Sequence, residues 1–240
     1  PSFAAMTLPV YIASDIHLGA VPDPTERRFV RFLEHVVARA NAVILPGDVF
    51  DFWFEYGPVI PGKHFRVLGA LAALTDAGMA VTMVGGNHDA WGGAFLREEV
   101  GVRFETGLVT MELGGRKALI AHGDGLGAGD LRYRILKRTL RSRATIALFR
   151  AIHPEIGMRI ASAVSRTDTR EASTEESAGR SRFLDAWATA QFAARHELSM
   201  VVCGHAHAPL LREVEPGRWY VNAGDWIHHF SYVTVPPDGP

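Results

Sequence analysis

Five short polar clusters are spaced along the chain, each behind an apolar run: Asp15-Ile-His17, Gly47-Asp48, Gly86-Asn87-His88-Asp89, His122 and Gly204-His205-Ala-His207. Carboxylate, imidazole and amide oxygen are donors suited to Mn, Fe, Zn or Co, and a single cysteine, Cys203, excludes a thiolate site. The expected ligands of a two-metal centre are therefore Asp15, His17, Asp48, Asn87, His122, His205 and His207. Asp48 is the natural bridge, because a short Pro-Gly turn brings it in with no second ligand beside it. Asp15 and His17, two apart on an extended segment, point the same way and can grip one ion. His205 and His207 share that spacing, and with paired metals only about 3.5–4 Å apart they can serve one ion together or one each. Asn87 is a neutral ligand, which leaves the pair cationic enough to polarise a phosphoryl group. Paired ions also lower the pKa of a shared water, so no nucleophilic side chain is required.

Those ligands need strands to bring them together. Val10–Ala13 precedes Asp15, Ala42–Leu45 precedes Asp48, Ala80–Val84 precedes Asn87, Ala118–Ala121 precedes His122, and Met200–Cys203 precedes His205. Continuous apolar runs of this length read as buried strands, and loops leaving their carboxyl ends converge at one sheet edge. Taken singly, each cluster has a plainer explanation, such as a turn at Asn-His-Asp or an ordinary strand exit at Gly-Asp. All five in this order, each behind a strand-like run, argue against coincidence. Cys203 lies inside such a run and reads as core packing.

The chain has 240 residues, 48% of them hydrophobic, enough for one large core, and no linker-like tract divides it. One domain over residues 1–240 is expected. The formal net charge is −1, so global electrostatics give no reason to expect nucleic acid as a partner. No apolar run is long enough to span a bilayer, and Pro1–Ala5 does not read as a signal peptide, so the expected location is the cytoplasm.

Local charge is more telling. Between Arg132 and Arg170 the chain concentrates Arg132, Arg134, Lys137, Arg138, Arg141, Arg143, Arg150, Arg159, Arg166 and Arg170, with few acids. Leu131, Ile135, Leu136 and Leu140 recur on one side of this stretch, so a helical insertion over the metal rim is expected, with residues 129–197 as a cap. Its charge suits an anionic partner: a pyrophosphate, a lipid surface or a phosphate backbone. Residues 165–179 are polar without a clear period and read as a mobile loop, after which Phe183, Leu184, Trp187, Ala190, Gln191 and Ala194 restore a helical stripe.

The order of these clusters resembles the calcineurin-like metallophosphoesterase family over nearly the whole chain. The resemblance implies an α/β fold, a two-sheet αββα sandwich with the metals at its rim and a helical cap inserted. It implies Asp15, His17, Asp48 and His207 around one ion, and Asp48, Asn87, His122 and His205 around the other. His88 would then face the phosphate as a catalytic residue, with Asp89 orienting it. Within the family, Gly47–Phe54, His122–Asp130 with its basic insertion, and Asn222–Tyr232 resemble the UDP-2,3-diacylglucosamine pyrophosphatases of lipid A synthesis. That likeness implies hydrolysis of a nucleotide-activated acylated sugar to UMP and an acylated sugar phosphate, at the cytoplasmic membrane as a peripheral protein. The cofactor expected is a pair of Mn2+ ions. Asp130 matches an aspartate that contacts the sugar, and Arg166 and Arg170 are the expected further substrate contacts. A nuclease or cyclic-nucleotide phosphodiesterase is the alternative use of the same metal core. Asp225, Trp226, His228 and His229 either line the site or close the sheet.

Overall fold

The computed structural model describes residues 8–57, 59–127, 131–168 and 174–237. Its ten described strands form two five-stranded sheets. In the first, β1 (Val10–Ile12), β2 (Ala42–Leu45), β3 (Ala80–Gly85) and β4 (Arg103–Thr106) run parallel, and β10 (Val233–Val235) pairs antiparallel with β1. The second has the order β5 (Val109–Leu113), β6 (Arg116–Ala121), β7 (Met200–Cys203), β9 (Arg218–Asn222), β8 (Leu210–Glu215). There β6, β7 and β9 are parallel, while β5 and β8 close the edges antiparallel.

Alternation along these strands explains the layering. Val10 and Ile12 of β1, Ala118 and Ile120 of β6, and Met200 and Val202 of β7 share one buried cluster between the sheets. Their neighbours point the other way: Tyr11 and Ala13 join Phe29, Phe32 and Leu33 of α1 (Asp23–Val36) and Leu71 of α2 (Phe65–Asp76). Leu119, Val201 and Cys203 meet Leu184, Ala188 and Phe192 of α6 (Thr174–Ala194). Both faces of each central strand are thus buried, which is why they read as unbroken apolar runs rather than as alternating ones. The result is the αββα sandwich, with Cys203 in the layer between β7 and α6 and its thiol pushed above its usual range by burial.

Between β6 and β7 lie α3 (Leu131–Leu140), α4 (Arg143–Arg150), α5 (Pro154–Asp168) and α6. Ser142 caps α4, its hydroxyl accepting from the Thr145 N–H at 3.2 Å. The expected loop over residues 165–179 is corrected: α5 continues to Asp168 and α6 begins at Thr174, so most of that stretch is helical. Period fails there because only the later turns of α6 press an apolar stripe onto the sheet, at Leu184, Ala188 and Phe192. Glu176 lies in its first turn, where the positive end of the helix dipole favours an acid.

Candidate metal centre

The loops leaving the carboxyl ends of β1, β2, β3, β6 and β7 carry all seven expected ligands, and the structure brings their side chains to one edge of the sandwich. Three groups lie close enough to hold a cation: Asp15 with His17 and His207, His17 with Asp48 and His88, and Asp48 with His122 and His205. Asp48 belongs to two of them. Its Oδ2 stands 3.8 Å from His17 Nε2 and 3.1 Å from His122 Nε2, the position of a carboxylate that faces both halves of the site. Asn87 Oδ1 is also 3.1 Å from His122 Nε2, and Asp15 Oδ1 is 3.3 Å from His207 Nε2.

The backbone is bent to achieve this. Asp15, His17, Asp48, His205 and His207 have φ of 56°, 50°, 52°, 64° and 55°; among the described residues only Phe230 joins them as a non-glycine with positive φ. Such conformations are uncommon outside glycine and gather at functional sites. The glycines preceding the ligands supply close approach: a Cβ on Gly86 would fall on the Asp48 carboxylate, one on Gly47 on the His122 ring, and one on Gly204 on the Asp15 carboxylate. Backbone bonds lock the loops to one another, with the Asp15 N–H donating to Gly47 O at 3.1 Å and the His17 N–H to Asp48 O at 2.9 Å.

The donor set suits divalent cations. Asp15 and Asp48 are fully buried, yet His207 holds the Asp15 carboxyl down to about 2 against burial, and His122 with His88 holds Asp48 well below its usual range. Burial opposes charge on His122, but Asp48 outweighs it and raises that imidazole to about 10; burial and His122 together push His205 down to about 3. Two buried carboxylates thus draw positive charge to the pocket. Both ring nitrogens of His17 are buried with no hydrogen-bond partner, an orphaned pair that a cation would satisfy. His122 Nδ1 lies 2.9 Å from Pro46 O and so carries the proton, turning Nε2 toward the other ligands.

His88 lies beside this centre. Its Nδ1 is 2.9 Å from Asp51 O and 3.6 Å from Asp51 Oδ1, and its ring meets the His17 ring edge-on at 4.8 Å. Asp89, next to it in sequence, is hydrogen-bonded to the ligand loops. Its buried carboxylate accepts from the N–H groups of Asp48 (3.3 Å), Val49 (2.7 Å), Phe50 (3.3 Å) and Gly86 (2.8 Å), fastening the Asp48 loop to the Asn87 loop. Burial and the charge of Asp48 push its carboxyl up to about 6, with the amide donors pulling the other way.

Further residues surround the site. Asp124, two residues past His122, accepts from Tyr133 Oη at 3.0 Å and pairs with Lys137 Nζ at 2.6 Å. Arg141 donates to Gly86 O at 2.9 Å, and Trp91 Nε1 to Leu140 O at 3.1 Å, so the carboxyl end of α3 is tied to the loop that follows β3. The aromatic segment after Asp48 receives α4: the Phe149 ring lies 4.8 Å from Phe54 and 5.1 Å from Trp91. Trp226 closes the sheet rather than lining the site, its ring packed at 5.0 Å against Phe29 while its backbone N–H donates to Asp15 O at 3.0 Å. Asp225 accepts from the N–H groups of Ile227, His228 and His229 and holds the His229 ring at 2.7 Å. Asp130 and Arg170 lie outside the described residues, as does the side chain of Arg166.

With the sandwich and the ligand edge in view, the matching family model is that of the calcineurin-like phosphoesterases, over residues 8–209, and the chain belongs to that family. It is a metal-dependent hydrolase, and its clustered Asp and His side chains are close enough to hold metal ions. A UDP-2,3-diacylglucosamine hydrolase from Porphyromonas gingivalis is 30% identical, the match covering 93% of this chain and 92% of that one. The protein of the same name from Klebsiella pneumoniae is 28% identical over 94% of each. Among solved structures, a dimetal phosphatase from Danio rerio aligns with 96% of this chain and 92% of its own at 11% identity and a TM-score of 0.46.

Proposed function

We propose that the chain hydrolyses the pyrophosphate bond of UDP-2,3-diacylglucosamine to UMP and 2,3-diacylglucosamine 1-phosphate, a step of lipid A biosynthesis, with two Mn2+ ions. The observation that carries this reading is end-to-end similarity to hydrolases of that name, over a chain that keeps all seven ligand residues. Asp15, His17, Asp48 and His207 would hold one ion, and Asp48, Asn87, His122 and His205 the other. Bound there, the ions would supply a polarised water and positive charge against the phosphoryl oxygens. Every other part of the reaction falls to the side chains. Asp48 keeps the two halves in register, and Asn87 adds a donor atom without adding negative charge. Burial opposes protonation of His88, but Asp48 and Asp51 outweigh it and raise its pKa, so the ring is placed to give a proton to the departing oxygen. Asp89 acts through the backbone, holding the Asp48 and Asn87 loops at a fixed separation.

Helices α3 to α5 suit a substrate that is both anionic and acylated. They expose Ile135, Leu136, Leu140, Leu148, Ile156 and Ile160 among their arginines, a combination that favours acyl chains and an anionic bilayer surface at the cytoplasmic membrane. No helix among the described residues is long and apolar enough to cross a membrane, so contact with the bilayer is peripheral in this reading. Asp130, Arg166 and Arg170 are assigned to the sugar and phosphates.

Purified protein with Mn2+ is to be given UDP-2,3-diacylglucosamine, a UDP-sugar without acyl chains, a simple phosphodiester and single-stranded DNA. Release of UMP from the acylated substrate far above the others is expected. Equal turnover of the unacylated UDP-sugar would overturn the lipid assignment, and preferential cleavage of DNA would favour the nuclease alternative.

A further inference from the structure

One face of α3 is aimed at the metal loops. Tyr133, Lys137 and Arg141 are spaced four residues apart, so they stack along one side of the helix and its last turn, where the Arg141 N–H still bonds Lys137 O at 3.0 Å. Two of the three are occupied: Tyr133 and Lys137 both hold Asp124. Arg141 is not. Among the described residues its side chain makes one hydrogen bond, Nη2 to Gly86 O at 2.9 Å, and no ion pair, and it is only half-buried. A carbonyl fixes the guanidinium without neutralising it, and a guanidinium has five N–H donors in a rigid fork. The fixing point matters as well. Gly86 packs directly against the Asp48 carboxylate and precedes Asn87, so the cation stands at the edge of the metal centre.

We propose that Arg141 binds a phosphoryl oxygen of the substrate, using the donors that Gly86 leaves unoccupied, and so stabilises the charge that builds there during hydrolysis. The inference rests on the phosphoesterase reading of the metal centre and is independent of the lipid. Lys137 does not fill the same role, because its ammonium is committed to Asp124 at 2.6 Å. Fixing by a carbonyl is the arrangement that keeps a guanidinium both aimed and charged, and bidentate recognition of phosphate is what its geometry suits. Anchoring to Gly86 also means that α3 must be docked for the guanidinium to be in place.

The test compares the Mn2+-loaded wild type with Arg141→Lys and Arg141→Ala. Three quantities are read: kcat and KM on bis(p-nitrophenyl) phosphate, the affinity for inorganic phosphate, and the melting temperature. Arg141→Lys can still donate to Gly86 O, so its melting temperature and metal content should stay near wild type. Its kcat should nevertheless fall on the order of 10²-fold, the usual effect of removing one donor to developing charge, and phosphate should bind more weakly. Added guanidinium should restore part of the activity of Arg141→Ala and leave the wild type unchanged. Retained kcat and phosphate affinity in Arg141→Lys would overturn the proposal, leaving Arg141 as a staple for α3; so would losses that merely track melting or metal content. If wild type binds two ions yet cleaves neither a phosphodiester nor UDP-2,3-diacylglucosamine, the phosphoesterase reading fails instead, and phosphate affinity in the two variants still decides the role of Arg141.

Discussion

Asp15, His17, Asp48, His205 and His207 each hold a left-handed backbone that costs on the order of 1–3 kcal/mol outside glycine. The surrounding bonds maintain it: Asp89 on four amides, Ser14 Oγ on Asp15 at 2.6 Å, and the His205 N–H on both oxygens of Asp15. Substituting Asp48 removes the one carboxylate shared by both halves, so Asp48→Ala should lose about 10³-fold or more in kcat, comparable to removing a central catalytic group. Circular dichroism should show the fold retained, because the Asp48 backbone bonds to Asp89 and His17 remain. Unchanged activity would be incompatible with a bridging role. Gly86→Ala tests the close approach rather than the ligands. The added methyl meets the Asp48 carboxylate and backbone, an overpacking expected to lower stability by about 1–3 kcal/mol in denaturant titrations and to weaken Mn2+ binding in calorimetry. Wild-type stability and affinity in that variant would mean the loops have slack.

At the level of elements, α6 is fastened to the second sheet by Leu184, Ala188 and Phe192, all without solvent exposure. Leu184→Ala should destabilise the protein by about 2–5 kcal/mol in urea unfolding, the usual range for a buried leucine; a change below about 0.5 kcal/mol would mean α6 contributes little to the core. The strands that carry ligands were legible because burial on both faces leaves an unbroken apolar run, and each ligand follows its run directly. Asp51, Asp124 and Arg141 were not legible as a set, since their partners are His88, α3 and Gly86, distant in sequence and joined only by packing. Asp89 shows a different limit: its neighbour in sequence is His88, but its carboxylate turns back to the backbone of residues 48–50. Residues 165–179 looked like a loop because they are almost all polar and leave no apolar period to read.

For the whole molecule, a net charge of −1 conceals a strongly uneven distribution, with the arginines gathered on α3 to α5 beside exposed side chains such as Leu148 at 71%. On the proposed reading this surface meets an anionic bilayer. The protein should co-sediment with vesicles containing phosphatidylglycerol, less so as salt rises and little with neutral vesicles. Leu148→Glu should weaken that association severalfold while leaving turnover of a soluble phosphodiester unchanged. Binding that ignores both salt and lipid charge would contradict an electrostatic contact.

The two-metal account is tested most directly by titrating chelator-stripped protein with Mn2+ while following bound metal and hydrolysis of a phosphodiester together. Activity should be absent at the start and reach its plateau at two ions per chain, and the melting temperature should rise with occupancy because the ions bind the folded state. Full activity at one ion per chain, or activity that survives complete removal of metal, would contradict it.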